Sequence, residues 1–181
     1  MAKNLEEKII KEDPETIAGF VAEPVQGAGG CIPPSKSYFD LVQPILKKYN
    51  IPFIADEVIC GFGRTGNLWG CETYNIKPDI IISSKCLTAG YFPMGAVIVN
   101  KEFSDKFVEV SEEAEEFPHG FTAGGHPVGC AIALKAIDVI MNEGLLDNVK
   151  LMEPYFFERL NEFNDYDHIG ETRGIGLMAA L

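Results

Sequence analysis

Histidine is scarce in this chain, and its cysteines are not paired. The three histidines, His119, His126 and His168, never stand four residues apart, and none of the five cysteines forms a C-x-x-C pair. The ligand spacing of a zinc site is therefore missing. Cys31, Cys60, Cys71, Cys86 and Cys130 are odd in number, and the set reads as reduced thiols of a cytoplasmic protein. Basic side chains are also few, 15 against 27 acidic ones, for a net charge of -12. That balance argues against nucleic acid and anionic membrane surfaces as partners, because both attract basic patches. No apolar run approaches the ~20 residues a membrane-spanning helix needs. Residues 1–13 are charged, without the apolar core or small-residue cleavage site of a signal peptide. The acidic run at 112–116 needs no role beyond solvation.

What is present suits a globular domain: 181 residues, 46% of them hydrophobic, a length that buries roughly 70% of the unfolded surface. Residues 1–13 read as helical through Leu5, Ile9 and Ile10. Residues 17–23 are rich in strand formers and run into a Pro/Gly cluster at 24–34. Over 35–49 the positions Tyr38, Phe39, Leu41, Val42, Ile45 and Leu46 fall at helical spacing, with Ser35 as the expected cap and Pro44 as an expected kink. Apolar runs at 52–55, 80–83 and 95–99 read as buried strands. Pro127 opens the clearest helix, which runs to Glu143 and stops at Gly144. A second amphipathic helix follows over 145–163, and a glycine-containing turn at 170–176 leads into the apolar run 177–181. Short apolar strands separated by helices predict an α/β fold, with a mostly parallel sheet in a three-layer α/β/α arrangement.

In such a sheet, functional groups gather beyond the carboxyl ends of the strands. Asp56 ends one expected strand and Lys85 follows another, so an acid and an amine are expected to face one crevice. Taken singly, the Asp56-Glu57 pair also reads as capping or surface acids, and Lys85 as an exposed lysine. Lys85 enters a turn containing Gly90, Pro93 and Gly95. A lysine partly desolvated there, near another cation, would have a lowered pKa and could form a Schiff base. The segment Gly61-Phe62-Gly63-Arg64-Thr65-Gly66 fits G-x-G-x-x-G, but no helical pattern opens from it, so a dinucleotide site is not expected.

Four segments carry a family resemblance. Glu23-Pro24-Val25-Gln26-Gly27 is similar to an E-P-x-x-G segment. Asp56-Glu57-Val58 with the glycine loop at 61–66 looks like an aspartate signature. Ser84-Lys85-Cys86-Leu87 with Gly90, Pro93, Met94, Gly95 and Ala96 looks like a lysine signature. His119-Gly120-Phe121-Thr122 with Pro127 resembles H-x-[FY]-T-x-x-x-x-P. Together, and in this order, they resemble the class III aminotransferases, which depend on pyridoxal 5′-phosphate (PLP). Phe117-Pro118-His119-Gly120-Phe121-Thr122, together with the Asp56 segment, most resembles the branch that uses ω-amino acids and pyruvate.

The resemblance implies an aspartate-aminotransferase-like fold of type I, here partial. Residues 1–144 would be the latter part of the PLP-binding large domain, and 145–181 the start of a small α+β C-terminal domain. Lys85 would hold PLP as a Schiff base and shuttle the proton, while Asp56 would pair with the pyridine nitrogen. Val58 would pack on the ring, Gln26 would approach the phenolic oxygen, and Thr122 would reach the cofactor phosphate of the neighbouring subunit in a homodimer with shared active sites. Each of these three also has a plain reading, as strand core, turn residue and helix-leading residue. Glu23 would pair with a substrate-gating arginine, and Arg64 and Trp69 brace a loop. Cys86 stands where the family often has alanine or glycine. The phosphate-cradling loop is expected upstream of Met1 and the substrate-carboxylate arginine downstream of Leu181. The expected partners are an amine or ω-amino acid and a keto acid. A catalytically incompetent fragment, and an aminomutase or decarboxylase on the same scaffold, are the competing readings.

Overall fold

A computed structural model of the chain describes residues 2–117 and 119–181. Met1, in the expected N-terminal helix, and Pro118, in the segment ending at Thr122, lie outside the described residues. The elements in chain order are α1 (Ala2–Glu12), β1 (Phe20–Ala22), α2 (Tyr38–Lys48), β2 (Phe53–Asp56), α3 (Gly70–Thr73), β3 (Ile80–Ser83), β4 (Ala96–Val99), α4 (Lys101–Ala114), α5 (Pro127–Asn142), α6 (Leu145–Asn161), β5 (Arg173–Ile175) and β6 (Met178–Ala180).

The main sheet has the order β1-β2-β3-β4. The first three strands are parallel, with Ala22 beside Ala55 and Asp56 beside Ile82. β4 runs antiparallel to β3, Ser83 facing Ala96. The connection from β3 to β4 carries only the 3-10 turn Lys85–Leu87 and not the crossover helix that usually returns a chain to a parallel strand. The result is the mostly parallel sheet with flanking helices that the sequence predicts.

Alternation along β2 turns Phe53 and Ala55 into the core and Ile54 and Asp56 to the opposite face. On the core side, Phe39, Val42 and Leu46 of α2 and Ile9 of α1 pack with Phe53 and Ala55. The Phe39 and Phe53 rings stack at 5.9 Å. Full burial of each large side chain there contributes roughly 1.5–3 kcal/mol. The opposite face is more open, with Val21 57% and Val97 68% exposed.

Boundaries differ from the sequence reading where turns compete with regular structure. The first strand is three residues long, because Pro14–Thr16 form a 3-10 turn that Ile17 closes on Pro14. The second helix begins at Tyr38, whose N–H donates to the Ser35 carbonyl at 2.9 Å. Ser35 therefore closes a turn, and Ser37 is the cap. Pro44 lies inside α2, which continues through it. α6 gives way to a 3-10 turn at Glu162–Asp165, short of the expected end at 163. α4 was not anticipated.

The C-terminal segment rests on the strand-end loops. Gly144 joins α5 to α6 with φ 70°, a left-handed backbone that glycine adopts without a Cβ clash. Leu177 N–H donates to the Arg64 carbonyl at 3.1 Å, Gly176 N–H to Glu153 at 2.7 Å, and Arg173 Nε to the Gly30 carbonyl at 2.8 Å. A Cβ on Gly176 would lie 2.3 Å from the Arg64 carbonyl oxygen, so only glycine permits this approach.

Candidate active site

β1, β2 and β3 end on the same edge of the sheet, which brings the loops holding Glu23 and Gln26, Asp56 and Val58, and Lys85 alongside one another. Asp56 is the last residue of β2 and is half-buried. Its Oδ1 accepts the Val58 N–H at 3.0 Å, so the acid and the apolar side chain two residues on are held as one unit.

Glu57 underpins that unit. It is 0% exposed, and its carboxylate accepts the N–H groups of Gly70 at 2.9 Å and Cys71 at 2.7 Å. Its own N–H donates to the Ile82 carbonyl at 2.9 Å, tying the end of β2 to β3. Burial raises the Glu57 carboxyl above its ordinary value, against the opposing pull of hydrogen bonds from Cys71 and Gly70. The capping reading of this acid holds, and it lies far deeper than a surface acid. The helix start packs closely here, since a Cβ on Gly70 would lie 2.7 Å from the Cys60 Cβ.

Lys85 stands two residues beyond β3 and opens the turn Lys85–Leu87. Its φ is 39°, in a left-handed region that costs a non-glycine residue on the order of 1–2 kcal/mol. The desolvation expected for it is not found: the Lys85 side chain is exposed, because no described side chain folds over it. Among the described residues it forms no ion pair. Ser84 Oγ donates to the Met94 carbonyl at 2.9 Å and closes the base of the loop.

The remaining expected residues are placed less closely. Gln26 is exposed, and its backbone is pinned by a two-bond bridge to Ile32. Glu23 accepts the Gly27 N–H at 2.8 Å and braces its own turn. Thr122 lies in an exposed turn ahead of α5. Arg64 is exposed and lends its carbonyl to the C-terminal hairpin. Trp69 packs on Phe62 with ring centroids 4.9 Å apart. The loop at 61–66 folds back on itself, Phe62 N–H reaching the Leu68 carbonyl, and no helix opens from it. No helix among the described residues is long and apolar enough to cross a membrane.

The donor set suits PLP. Asp56 Oδ2 accepts no hydrogen bond among the described residues, and an acceptor-only carboxylate matches a protonated ring nitrogen. Lys85 supplies a primary amine, the group that adds to an aldehyde.

A family model described as Aminotransferase class-III matches residues 1–181. Gamma aminobutyrate transaminase 3 of Solanum lycopersicum, a chloroplastic protein, is 54% identical over 178 residues, which are 98% of this chain and 34% of that relative. An omega-aminotransferase from Paracoccus denitrificans superposes with a TM-score of 0.95 at 61% identity, covering 99% of this chain and 41% of that one. A PMP-bound aminotransferase from Vibrio fluvialis does so with a TM-score of 0.95 at 65% identity, covering 98% and 39%. The chain spans about a third of the length of the named relatives it matches, 34% in the first case.

Proposed function

Because this chain belongs to the class III aminotransferases, whose fold of type I it shares in part, we propose that it is the lysine-bearing part of a transaminase. Such an enzyme moves an amino group from an amine or ω-amino acid to a keto acid, here pyruvate. The observation that carries this reading is the placement of Asp56 and Lys85 beyond neighbouring parallel strands, with Asp56 beside Ile82 in register and Lys85 in a left-handed turn. PLP, the cofactor of this family, supplies when bound an aldehyde carbon and an electron-withdrawing ring.

In this reading Lys85 holds the cofactor through its amine, then moves a proton at the substrate Cα. Asp56 keeps the ring nitrogen protonated, since an opposite charge at contact favours the charged form. Val58 packs on the ring and Gln26 faces its phenolic oxygen. Thr122 serves the phosphate site of a partner subunit, which suits an exposed side chain. Glu23 can face a gating arginine through Oε1 while Oε2 keeps its bond to Gly27. Residues 1–144 form the latter part of the large domain and 145–181 the start of the small one, in a homodimer. The five unpaired thiols suit a reducing compartment, for which the cytoplasm is proposed.

A second reading is supported by one observation. The face that carries Asp56 is open, with Val97 68% exposed, and a charge pair in water is weak. The 181-residue chain alone would then bind cofactor without appreciable turnover. Incubation with PLP, a β-amino acid and pyruvate, with alanine as the readout, separates the readings. Alanine formed catalytically supports amino transfer by this chain. Carbon dioxide release or amino migration without alanine would point instead to a decarboxylase or aminomutase. A chain that binds PLP yet forms none of these products supports the second reading.

A further inference from the structure

Thr88 is 2% exposed and sits at the centre of the turn that follows Lys85. Its N–H donates to the Lys85 carbonyl at 3.3 Å, and its own carbonyl accepts the Tyr91 N–H at 3.0 Å. Its hydroxyl donates to the Phe92 carbonyl at 2.5 Å. The backbone between these bonds is left-handed at Ala89, φ 50°, and at Gly90, φ 82°. Such a turn unwinds readily unless something closes it.

Phe92 extends the connection beyond the turn. Its ring lies 5.1 Å from that of His126, whose Nδ1 accepts the Val128 N–H and caps α5. One turn into α5, a Cβ on Gly129 would lie 2.8 Å from the Phe92 ring and 2.7 Å from Met94 Cε, so the helix presses directly on this loop. Thr122 belongs to the turn that enters α5, where the Gly124 N–H reaches the Phe121 carbonyl at 2.8 Å and the His126 N–H the Ala123 carbonyl at 3.3 Å. A continuous path of contacts thus runs from Lys85 through Thr88, Phe92 and His126 to the turn of Thr122.

We propose that Thr88 is a positioning residue whose hydroxyl locks the Lys85 turn and couples it, through Phe92, to the start of α5. The amine is then presented from one place relative to the segment that carries Thr122. This inference rests on the reading of Lys85 as the cofactor-holding amine, but the lock itself does not.

The test uses the full chain and three variants. Thr88→Val keeps the shape and removes the donor, Thr88→Ser keeps the donor, and Phe92→Leu keeps the carbonyl but removes the ring that packs against His126. Amide hydrogen exchange is followed by mass spectrometry, together with PLP labelling and borohydride reduction at limiting reagent. Thr88→Val is expected to speed exchange at Tyr91 about tenfold and to lower the share of label on Lys85. Thr88→Ser is expected to restore both. Phe92→Leu is expected to speed exchange at Val128 while leaving Tyr91 at the wild-type rate. Exchange and labelling unchanged in Thr88→Val, or unrestored in Thr88→Ser, overturn the proposal. An unchanged Val128 in Phe92→Leu overturns the coupling to α5. If the wild-type chain puts no label on Lys85, the cofactor reading fails, while the exchange rates still decide the lock. Should Thr88→Val not fold, the comparison of Thr88→Ser and Phe92→Leu with wild type remains decisive.

Discussion

The turn after β2 and the turn after β3 lie side by side, yet they are held in opposite ways. Behind Asp56 stands a fully buried carboxylate, Glu57, that fixes two backbone N–H groups and is itself tied to β3. Lys85 instead sits exposed on a left-handed turn closed by the hydroxyls of Ser84 and Thr88. The difference suits the proposed roles. A group that holds a fixed charge against a ring gains from a buried brace behind it, whereas an amine that must engage, release and return gains from an exposed side chain on a turn that is itself held in place.

Lys85→Ala is the sharpest way to break this comparison. It is expected to abolish borohydride-trapped cofactor and to lower amino transfer by about 10²–10⁴-fold. The unfolding midpoint should hardly move, as an exposed side chain changes stability by roughly 0.5 kcal/mol or less. A large loss of stability would mean that Lys85 is structural. Asp56→Asn keeps an acceptor for Val58 and removes the charge. Since such a charge shifts a partner's pKa by about 1–3 units, amino transfer and cofactor retention should fall by about 10–10³-fold with the fold intact.

Glu57→Ala should act on stability first. Two buried N–H groups lose their partner, at about 1–3 kcal/mol each, which urea unfolding would register. The pH dependence sharpens the point. Burial raises Glu57 above its ordinary 4.5, so its contribution to stability is fully present below that pH and is lost as pH rises through the folded value. The stability gap between wild type and Glu57→Gln should therefore narrow from pH 4.5 toward neutrality, and a constant gap would count against this account. The smallest effect is in thiol chemistry. Burial pushes Cys60 up to about 12 and raises Cys71 as well, whereas Cys130 is exposed. A thiol reagent should consume Cys130 first and reach Cys60 and Cys71 only on unfolding.

The sheet was legible because its strands are near-continuous apolar runs, and Asp56 and Lys85 were legible because they follow two of those runs. The direction of β4 was not read from its residues, since a strand's composition does not encode which way its neighbour runs. It goes with a connection after Ser83 that carries no crossover helix. α4 was hidden because most of its apolar side chains, Phe107, Val108 and Val110 among them, stand about half exposed among acids, which matches the pattern of a solvated segment. The depth of Glu57 and Thr88 was not legible for a related reason. A buried polar side chain is recognised by what surrounds it, and the partners of Glu57 lie in α3, a helix of four residues without a sequence signal of its own.

The central claim is that Lys85 is the amine that holds the cofactor. Adding PLP to this chain, reducing with borohydride and mapping the modified peptide by mass tests it directly. The account predicts reduced cofactor on the peptide containing Lys85, with little on other lysines. Label scattered over surface lysines, or absent, would contradict it.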